Sequence, residues 1–453
     1  MPVSTIAAIS TPLGDGGIGV IRISGENAFT VADKIFKSVS GKKVADQKGY
    51  TALFGDIMDG DRRIDEAVVT VFRAPKSYTG ENVAEISVHG GRLIIKKVLR
   101  LALENGAAAA EPGEFTKRAF LNGKLDLTQA ESIMGLISAQ SDTALKFSQN
   151  AYSGHISREI ADIKALLLEV AASVAVYADY PDEDLDELKP EVFEEKLKRV
   201  IAKLRQLIKN YDAGKVLREG IDTAIVGKPN VGKSTLMNLL SGTARSIVTD
   251  IAGTTRDVIE ETVTVGDITL RLADTAGIRE TADTVEAVGV DLAKERLKCA
   301  TLILAVFDLS APLDADDFDL IEQIKNKRTL IVLNKSDKAV LADLSAFENL
   351  KTVTISAKTG DGEEKLSRAI AEITEVAGLS ADTGVLTSER QRDCAVRALS
   401  AAESALFDLE NGQTVDMAGI LIDDAVTALL ELTGERATNE VTDEVFRRFC
   451  VGK

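Results

Sequence analysis

The spacing of apolar residues changes character several times along the chain. From residue 1 to about 120, short β-branched runs dominate: STIAAIS, IGVIRIS, EAVVTVF and VAEISVH, separated by Gly, Pro and Asp signals. Such runs predict strands. One longer segment, GRLIIKKVLRLALENG, predicts a helix with a glycine stop. Near DLTQAESIMGLISAQ the period becomes helical, and Thr128 with Glu131 predicts a capping box ahead of the apolar run. The helical period continues to about residue 215, as in IADIKALLLEVAASVAVYA. The acidic stretch YPDEDLDELKPE interrupts it and reads as a solvated loop or a helix start. From about 221 to 377 strands alternate with helices, beginning at DTAIVG, which predicts a parallel α/β sheet. After GVLTSERQRDC the pattern is helical again. Two organisations fit this order: four separate units, or an α/β domain inserted into one helical domain.

Composition narrows the class. The 453 residues exceed one ordinary domain and suit about three, at roughly 150 residues each. Trp is absent and aromatics are sparse, so cores must be built from Leu, Ile, Val and Ala. The net charge of −17 argues against coating nucleic acid by bulk attraction; an RNA contact needs a local basic patch or a partner. The three cysteines, Cys299, Cys394 and Cys450, offer neither a disulfide framework nor zinc spacing and fit a reducing cytosol. MPVSTIAAIS has no basic n-region of a signal peptide. The longest apolar run, LLLEVAASVAVYA, is too short to cross a bilayer and holds Glu169. A cytoplasmic protein with no membrane partner is expected.

Two glycine-rich stretches invite a phosphate. GDGGIG, residues 14–19, matches G-x-G-x-x-G but runs into VIRIS, a predicted strand. Without a helix N-terminus there is no amide cluster for a pyrophosphate, so it reads as a loop between strands. GKPNVGKS, residues 227–234, matches G-x-x-x-x-G-K-[ST] between the strand DTAIV and the helix STLMNLLSG. There backbone amides cradle phosphates, Lys233 reaches the β and γ oxygens, and Ser234 binds Mg²⁺. Three further motifs follow in order: DTAG at 274–277, NKSD at 334–337 and SAK at 356–358. Asp274 can hold the Mg²⁺ shell and Gly277 can offer its amide to the γ-phosphate. The Asp337 carboxylate can accept the guanine N1–H and N2 amino group, a donor pair that adenine lacks. The set resembles the translation-factor-related class of P-loop GTPases.

The expected GTP contacts are Asn230, Val231, Gly232, Lys233, Ser234 and Thr235 of the phosphate loop. They continue with Thr249, Asp250, Ile251, Ala252, Gly253, Thr254 and Thr255 of TDIAGTTRD, then Asp274, Thr275, Ala276 and Gly277. Asn334, Lys335, Ser336 and Asp337, with Ser356, Ala357 and Lys358, form the base pocket. Thr255 is the expected second Mg²⁺ ligand. Many small GTPases carry a catalytic Gln just after D-x-x-G; here that position is Ile278, which cannot orient water. The only histidines are His89 and His155, so the acidic residues of RETADTVEAVG are the candidates.

TPLGDGGIGVIRISG, YTGENVAEISVHGG, PGEFTKRAFLNGKLDLTQAE, the GTPase motifs and the final CVGK together closely resemble the MnmE (TrmE) family of tRNA uridine-modification GTPases, over the whole chain. The resemblance implies a folate-binding, dimerising α+β domain at 1–120, a discontinuous helical domain at 121–217 and 379–453, and an inserted Ras-like P-loop G domain at 218–378. It selects insertion over four separate units. It implies a homodimer that joins the flavoprotein MnmG (GidA) in a heterotetrameric complex. Together they place a carboxymethylaminomethyl or aminomethyl group on C5 of the wobble uridine of tRNA. The carbon comes from a tetrahydrofolate derivative, 5-formyl or 5,10-methylene. G domains pair when K⁺ and GTP are bound, which activates hydrolysis.

Carried onto this sequence, the resemblance puts K⁺ on Asn230, Thr249, Ile251 and Thr254, and the water-orienting carboxylate on Glu286. Folate contacts fall on Arg22, Glu81, Lys124 and Lys453, and Cys450 of CVGK acts in the uridine chemistry. Taken alone, FRRFCVGK reads either as a frayed tail or as part of a site. The resemblance implies that a helix ending at FRRFC, with Gly452 releasing the chain, delivers Cys450 and Lys453 to a pocket. Arg447, Arg448 and Lys453 lie near enough in sequence to favour a thiolate. The rival reading is a GTPase switch in ribosome assembly. That class carries a KH-like or OB-like domain with a basic face, and no such segment stands out.

Overall fold

The computed structural model describes residues 4–179, 190–243, 261–272, 300–377, 383–411, 413 and 415–453. They fall into two compact units, one of Met1–Met134, Ser157–Val200 and Asp393–Lys453, the other of Gly135–Ile156 and Ile201–Arg392. Most of the acidic stretch, residues 180–189, lies outside the described residues.

The first unit opens with β1 (Ile6–Ile9), β2 (Gly16–Ser24), α1 (Ala28–Ile35), β3 (Phe36–Ser38), β4 (Thr51–Asp59), β5 (Arg62–Phe72), β6 (Val83–Gly90), α2 (Arg92–Glu104), β7 (Ala108–Ala109) and α3 (Glu114–Leu121). The strands form a seven-stranded sheet in the order β3-β4-β5-β6-β2-β1-β7, antiparallel except where β1 meets β7. One face is covered by α1 and α2. Ile95, Val98, Leu101 and Ala102 of α2 are buried, as helical spacing requires, in a cluster with Ile21, Ile23, Val69, Val71 and Ile86. The GDGGIG glycines have a packing explanation. Strand β2 already begins at Gly16, inside the stretch the sequence assigns to a loop. A Cβ on Gly19 would lie 2.3 Å from Ile95 Cδ1. That glycine lets α2 close onto the sheet.

Helices α4 (Leu127–Ser138), α5 (Asp142–Tyr152), α6 (His155–Asp179) and α7 (Pro190–Glu219) follow. The predicted capping box at α4 sits two residues too late. Asp126 Oδ1 accepts from Gln129 N at 2.8 Å, and Gln129 Oε1 accepts from Asp126 N at 3.0 Å. Thr128 lies inside the helix and is buried. An aspartate caps as well as a threonine, and the sequence alone does not choose between two overlapping boxes.

In the second unit, β8 (Ile221–Val226), α8 (Lys233–Thr243), β9 (Glu261–Val265), β10 (Ile268–Leu272), β11 (Leu302–Asp308), α9 (Ala315–Ile324), β12 (Thr329–Asn334), β13 (Lys351–Thr354) and α10 (Glu363–Ile373) alternate. The sheet order is β13-β12-β11-β8-β10-β9, parallel except for β9 against β10. All six residues of β12 are buried, the mark of a parallel strand covered on both faces. Leu302, Leu304 and Val306 face one core and Ile303, Ala305 and Phe307 the other. Helices α11 (Glu389–Glu410), α12 (Val415–Thr433) and α13 (Asn439–Arg447) complete the described elements. No described helix is long and apolar enough to cross a membrane.

Candidate functional site

The phosphate loop runs from the end of β8 to the start of α8. Gly227 has φ +147° and Gly232 has φ +104°, conformations that glycine adopts without strain. A Cβ on Gly232 would lie 2.2 Å from Asn334 Nδ2. Asn334, 3% exposed, donates to Val231 O at 2.9 Å and accepts from Ala357 N at 2.9 Å. One buried side chain therefore binds the phosphate loop to the SAK loop. Lys335 donates to Asn230 O at 2.8 Å and to Asp308 Oδ2 at 2.5 Å. Burial pushes Asp308 up, and its hydrogen bonds from Lys335 and Ser310 more than offset that, leaving it below the usual carboxylate range. Asp308 and Lys335 thus form a second strut, and the sequence reading missed Asp308. Its signal was the last position of β11, beside the strand that ends in NKSD.

Asp337 is exposed and accepts from Ser356 Oγ at 2.7 Å. That hydrogen bond holds its carboxyl below the ordinary range. It keeps the acceptor charged and oriented for a base. Lys233 Nζ donates to Gly227 O and Lys228 O, both at 2.7 Å. Burial holds this ammonium below its usual range. Ser234, Thr235, Asn230 and Lys358 are exposed. The donor set of loop amides and an ammonium whose partners among the described residues are carbonyls fits a triphosphate. Residues 249–255, residues 274–277 and Glu286 lie outside the described residues.

The second candidate site lies in the first unit, and the tail is part of it. Phe446 and Phe449 are 2% and 7% exposed and pack with Leu127, Ala130 and Ile133. Helix α13 ends at Arg447, inside FRRFC as expected. Beyond it, Val451 forms an antiparallel bridge with Pro112, and Phe115 N donates to Lys453 O at 3.2 Å. Gly452, at φ +96°, is buried, and a Cβ there would lie 2.1 Å from Ile9 O. Its carbonyl accepts from Ser10 Oγ at 3.1 Å and from Arg22 Nη1 at 3.5 Å. The tail is docked beside Arg22, while Cys450 is exposed. Of the cations grouped around that thiol in sequence, Arg447 and Arg448 each pair with Glu444 at 3.3 Å.

Arg22 is half-buried and fully engaged. It pairs with Glu85 at 2.8 Å, and its guanidinium lies 5.2 Å from the Tyr78 ring centroid and 5.6 Å from that of Phe115. Glu81 accepts from Arg118 at 3.1 Å and from Ser24 Oγ at 2.7 Å. Lys124 is exposed and donates to Pro75 O at 3.2 Å. Gly80, next to Glu81, sits so that a Cβ would lie 3.5 Å from Lys124 Cγ. The structure therefore joins Arg22 to the tail, and Glu81 to Lys124 through the loop between β5 and β6. The sequence reading missed Glu85, Arg118, Ser24 and Tyr78. Glu85 stands opposite Arg22 across β2 and β6, and Arg118 follows Glu114 at the i,i+4 spacing of a helical ion pair. The first signal depends on knowing which strands pair; the second is local to one helix.

The parallel sheet, the phosphate loop and the NKSD pocket define a P-loop GTPase with GTP as its substrate. Family models place more on the chain than this. Residues 5–124 match the N-terminus of the GTP-binding protein TrmE, and residues 127–450 match the MnmE helical domain. Proteins named tRNA modification GTPase MnmE are similar over nearly the whole length. The one from Clostridioides difficile (strain 630) is 41% identical, and the one from Geobacillus kaustophilus (strain HTA426) 42%, each alignment covering 99% of both chains. A solved structure of the G domain of the T. maritima FeoB iron transporter is 26% identical over 34% of this chain and 98% of that one, with a TM-score of 0.26. The chain belongs to the MnmE family of tRNA modification GTPases.

Proposed function

We propose that this chain hydrolyses GTP to drive modification of tRNA, acting on C5 of the wobble uridine with a flavoprotein partner of the MnmG type. In this reading a tetrahydrofolate derivative supplies the one-carbon unit in the first unit, in contact with Arg22, Glu81, Lys124 and Lys453. Cys450 acts on the uridine. Ser234 and Thr255 hold Mg²⁺, and Asn230, Thr249, Ile251 and Thr254 offer oxygen ligands to K⁺ beside the β and γ phosphates. The charge of K⁺ there stabilises the transferring phosphoryl group as an arginine finger does elsewhere. Glu286 orients the attacking water. The protein works as a homodimer in the cytoplasm.

The observation that carries the reading is the docked tail. The carbonyl of Gly452 meets both Ser10 and Arg22, so the segment bearing Cys450 and Lys453 is held where Arg22 also lies. The test is wobble-uridine content measured beside phosphate release, with the flavoprotein present, in KCl and in NaCl. Modification that stops in Cys450→Ser, and hydrolysis that is faster in KCl, are the expected results. Normal uridine modification by Cys450→Ser would remove the thiol from the chemistry. Equal rates in the two salts would remove the K⁺ site. A tRNA pool unchanged when the protein is absent would favour the ribosome-assembly reading.

A further inference from the structure

Arg118 is 7% exposed, and the sequence gives it no role. Its Nη1 lies 3.2 Å from Glu81 Oε1 and 3.1 Å from Oε2. Its Nη2 donates to Glu114 Oε1 at 2.8 Å and reaches Ser4 Oγ at 3.5 Å. Glu114 is itself fixed, because its Oε2 accepts from Glu111 N at 2.8 Å. A planar guanidinium can join two carboxylates in this way, whereas an ammonium has no such fork. Without it, two half-buried carboxylates would lie close together with no countercharge, an unfavourable arrangement.

On its other side, Glu81 is bound back to its own loop. Ser24 Oγ donates its single proton to Glu81 Oε2 at 2.7 Å. The 2.8 Å contact between Ser24 and Thr79 must then have Thr79 as donor. Thr79 Oγ1 in turn accepts from Glu81 N at 3.2 Å. The hydrogen bonds close a ring through Glu81, Thr79 and Ser24, and Arg118 clamps the carboxylate from outside it. A carboxylate offers about four acceptor sites. Among the described residues, Arg118 on both oxygens and Ser24 on one leave a single site, on Oε1.

The geometry points to Arg118 as a positioning residue for the ligand of this site: it fixes the Glu81 carboxylate so that one remaining acceptor receives an N–H of the folate ring. The inference rests on Glu81 as a ligand contact in the proposed function, and adds the residue through which that contact is made specific. Arg118 touches the ligand only through Glu81. Its loss therefore acts on affinity by the same route as the loss of Glu81.

The test is a double-mutant cycle on the full chain, with 5-formyl-tetrahydrofolate as the probe and its Kd read by calorimetry. Arg118→Gln and Glu81→Gln should each weaken binding by at least about tenfold. The double variant should bind no more weakly than Glu81→Gln alone, because the second change finds nothing left to position. A purely structural Arg118 would instead add its own loss, and losses that multiply in the double variant overturn the proposal. Wild-type affinity in Arg118→Gln overturns it too. Wild-type affinity in Glu81→Gln removes the ligand contact itself, which is a different failure and refutes the assignment of Glu81. Melting of each ligand-free variant reports whether the fold survives. Should Arg118→Gln fail to fold, Arg118→Lys keeps the charge without the fork and enters the same cycle with the same expectations.

Discussion

Arg22 and Arg118 each face a carboxylate, at 2.8 Å and 3.1 Å. Among the described residues, Lys233 of the phosphate loop meets carbonyl oxygens of that loop, Gly227 O and Lys228 O. In the first unit both arginines are neutralised internally, and a ligand must use what the network leaves over. In the second, a half-buried cation has no anionic partner among the described residues, and its charged form is disfavoured by burial. A triphosphate supplies the missing charge. Affinity should therefore depend on charge at the phosphate loop and on placement at the tail-bordered site.

The largest effect should come from breaking the open site. Lys233→Ala removes the loop lysine that carbonyls hold, while Lys228 stays paired with Asp314 and Asp317, and should weaken GTP by about 30-fold or more, read by nucleotide titration; an unchanged Kd would mean that the loop amides suffice. Next is Asp337→Asn, which replaces an acceptor with a donor toward guanine. GTP affinity should fall by about tenfold or more while xanthosine triphosphate gains, and competition between the two nucleotides measures it. At the other site both arginines are already paired, so a purely steric change should matter. Gly452→Ala forces a Cβ toward Ile9 O and should displace the tail, costing about 1–3 kcal/mol of stability and lowering uridine modification. Full modification with an unchanged melting temperature would show that the tail tolerates the shift.

The smallest effect sharpens the comparison through protons. Burial lowers Lys233 from its ordinary value of 10.5. Between that lowered value and 10.5 the unfolded chain binds more protons than the folded one, so this group makes stability rise with pH across that window. Bound phosphate restores the charged form. GTP binding in the same alkaline window should then take up protons, seen as a calorimetric enthalpy that varies with the buffer.

Much of the fold was legible because local period and turn chemistry agreed with it. The strands IGVIRIS and VAEISVH became β2 and β6, and TLIVL became the buried β12. Short or broken elements were not legible, β3, β4, β7, α1 and α3 among them. Strand β4 reads TALFGDIMD, in which Gly55 and Asp56 interrupt the run. Gly55 is needed there because a Cβ would lie 2.2 Å from Lys37 O of the neighbouring strand. The GTP pocket could be read because its residues sit in contiguous motifs. The other site could be read only in part. Its network joins Ser24, Glu81 and Arg118 from three separate segments, and no local spacing encodes which strands will stand side by side.

The bond between Ser10 and Gly452 spans 442 positions of sequence. A chain emerging from the ribosome can make every strand of the seven-stranded sheet before residue 110, since β7 ends at Ala109. Domains fold in that order during synthesis. Yet Ile9, Ser10, Pro112 and Phe115 lack their contacts with Val451, Gly452 and Lys453 until those residues have been made. The surroundings of Arg22 are thus among the first parts to fold and among the last to be completed. An interrupted translation product can own a finished sheet and still have no working site in it.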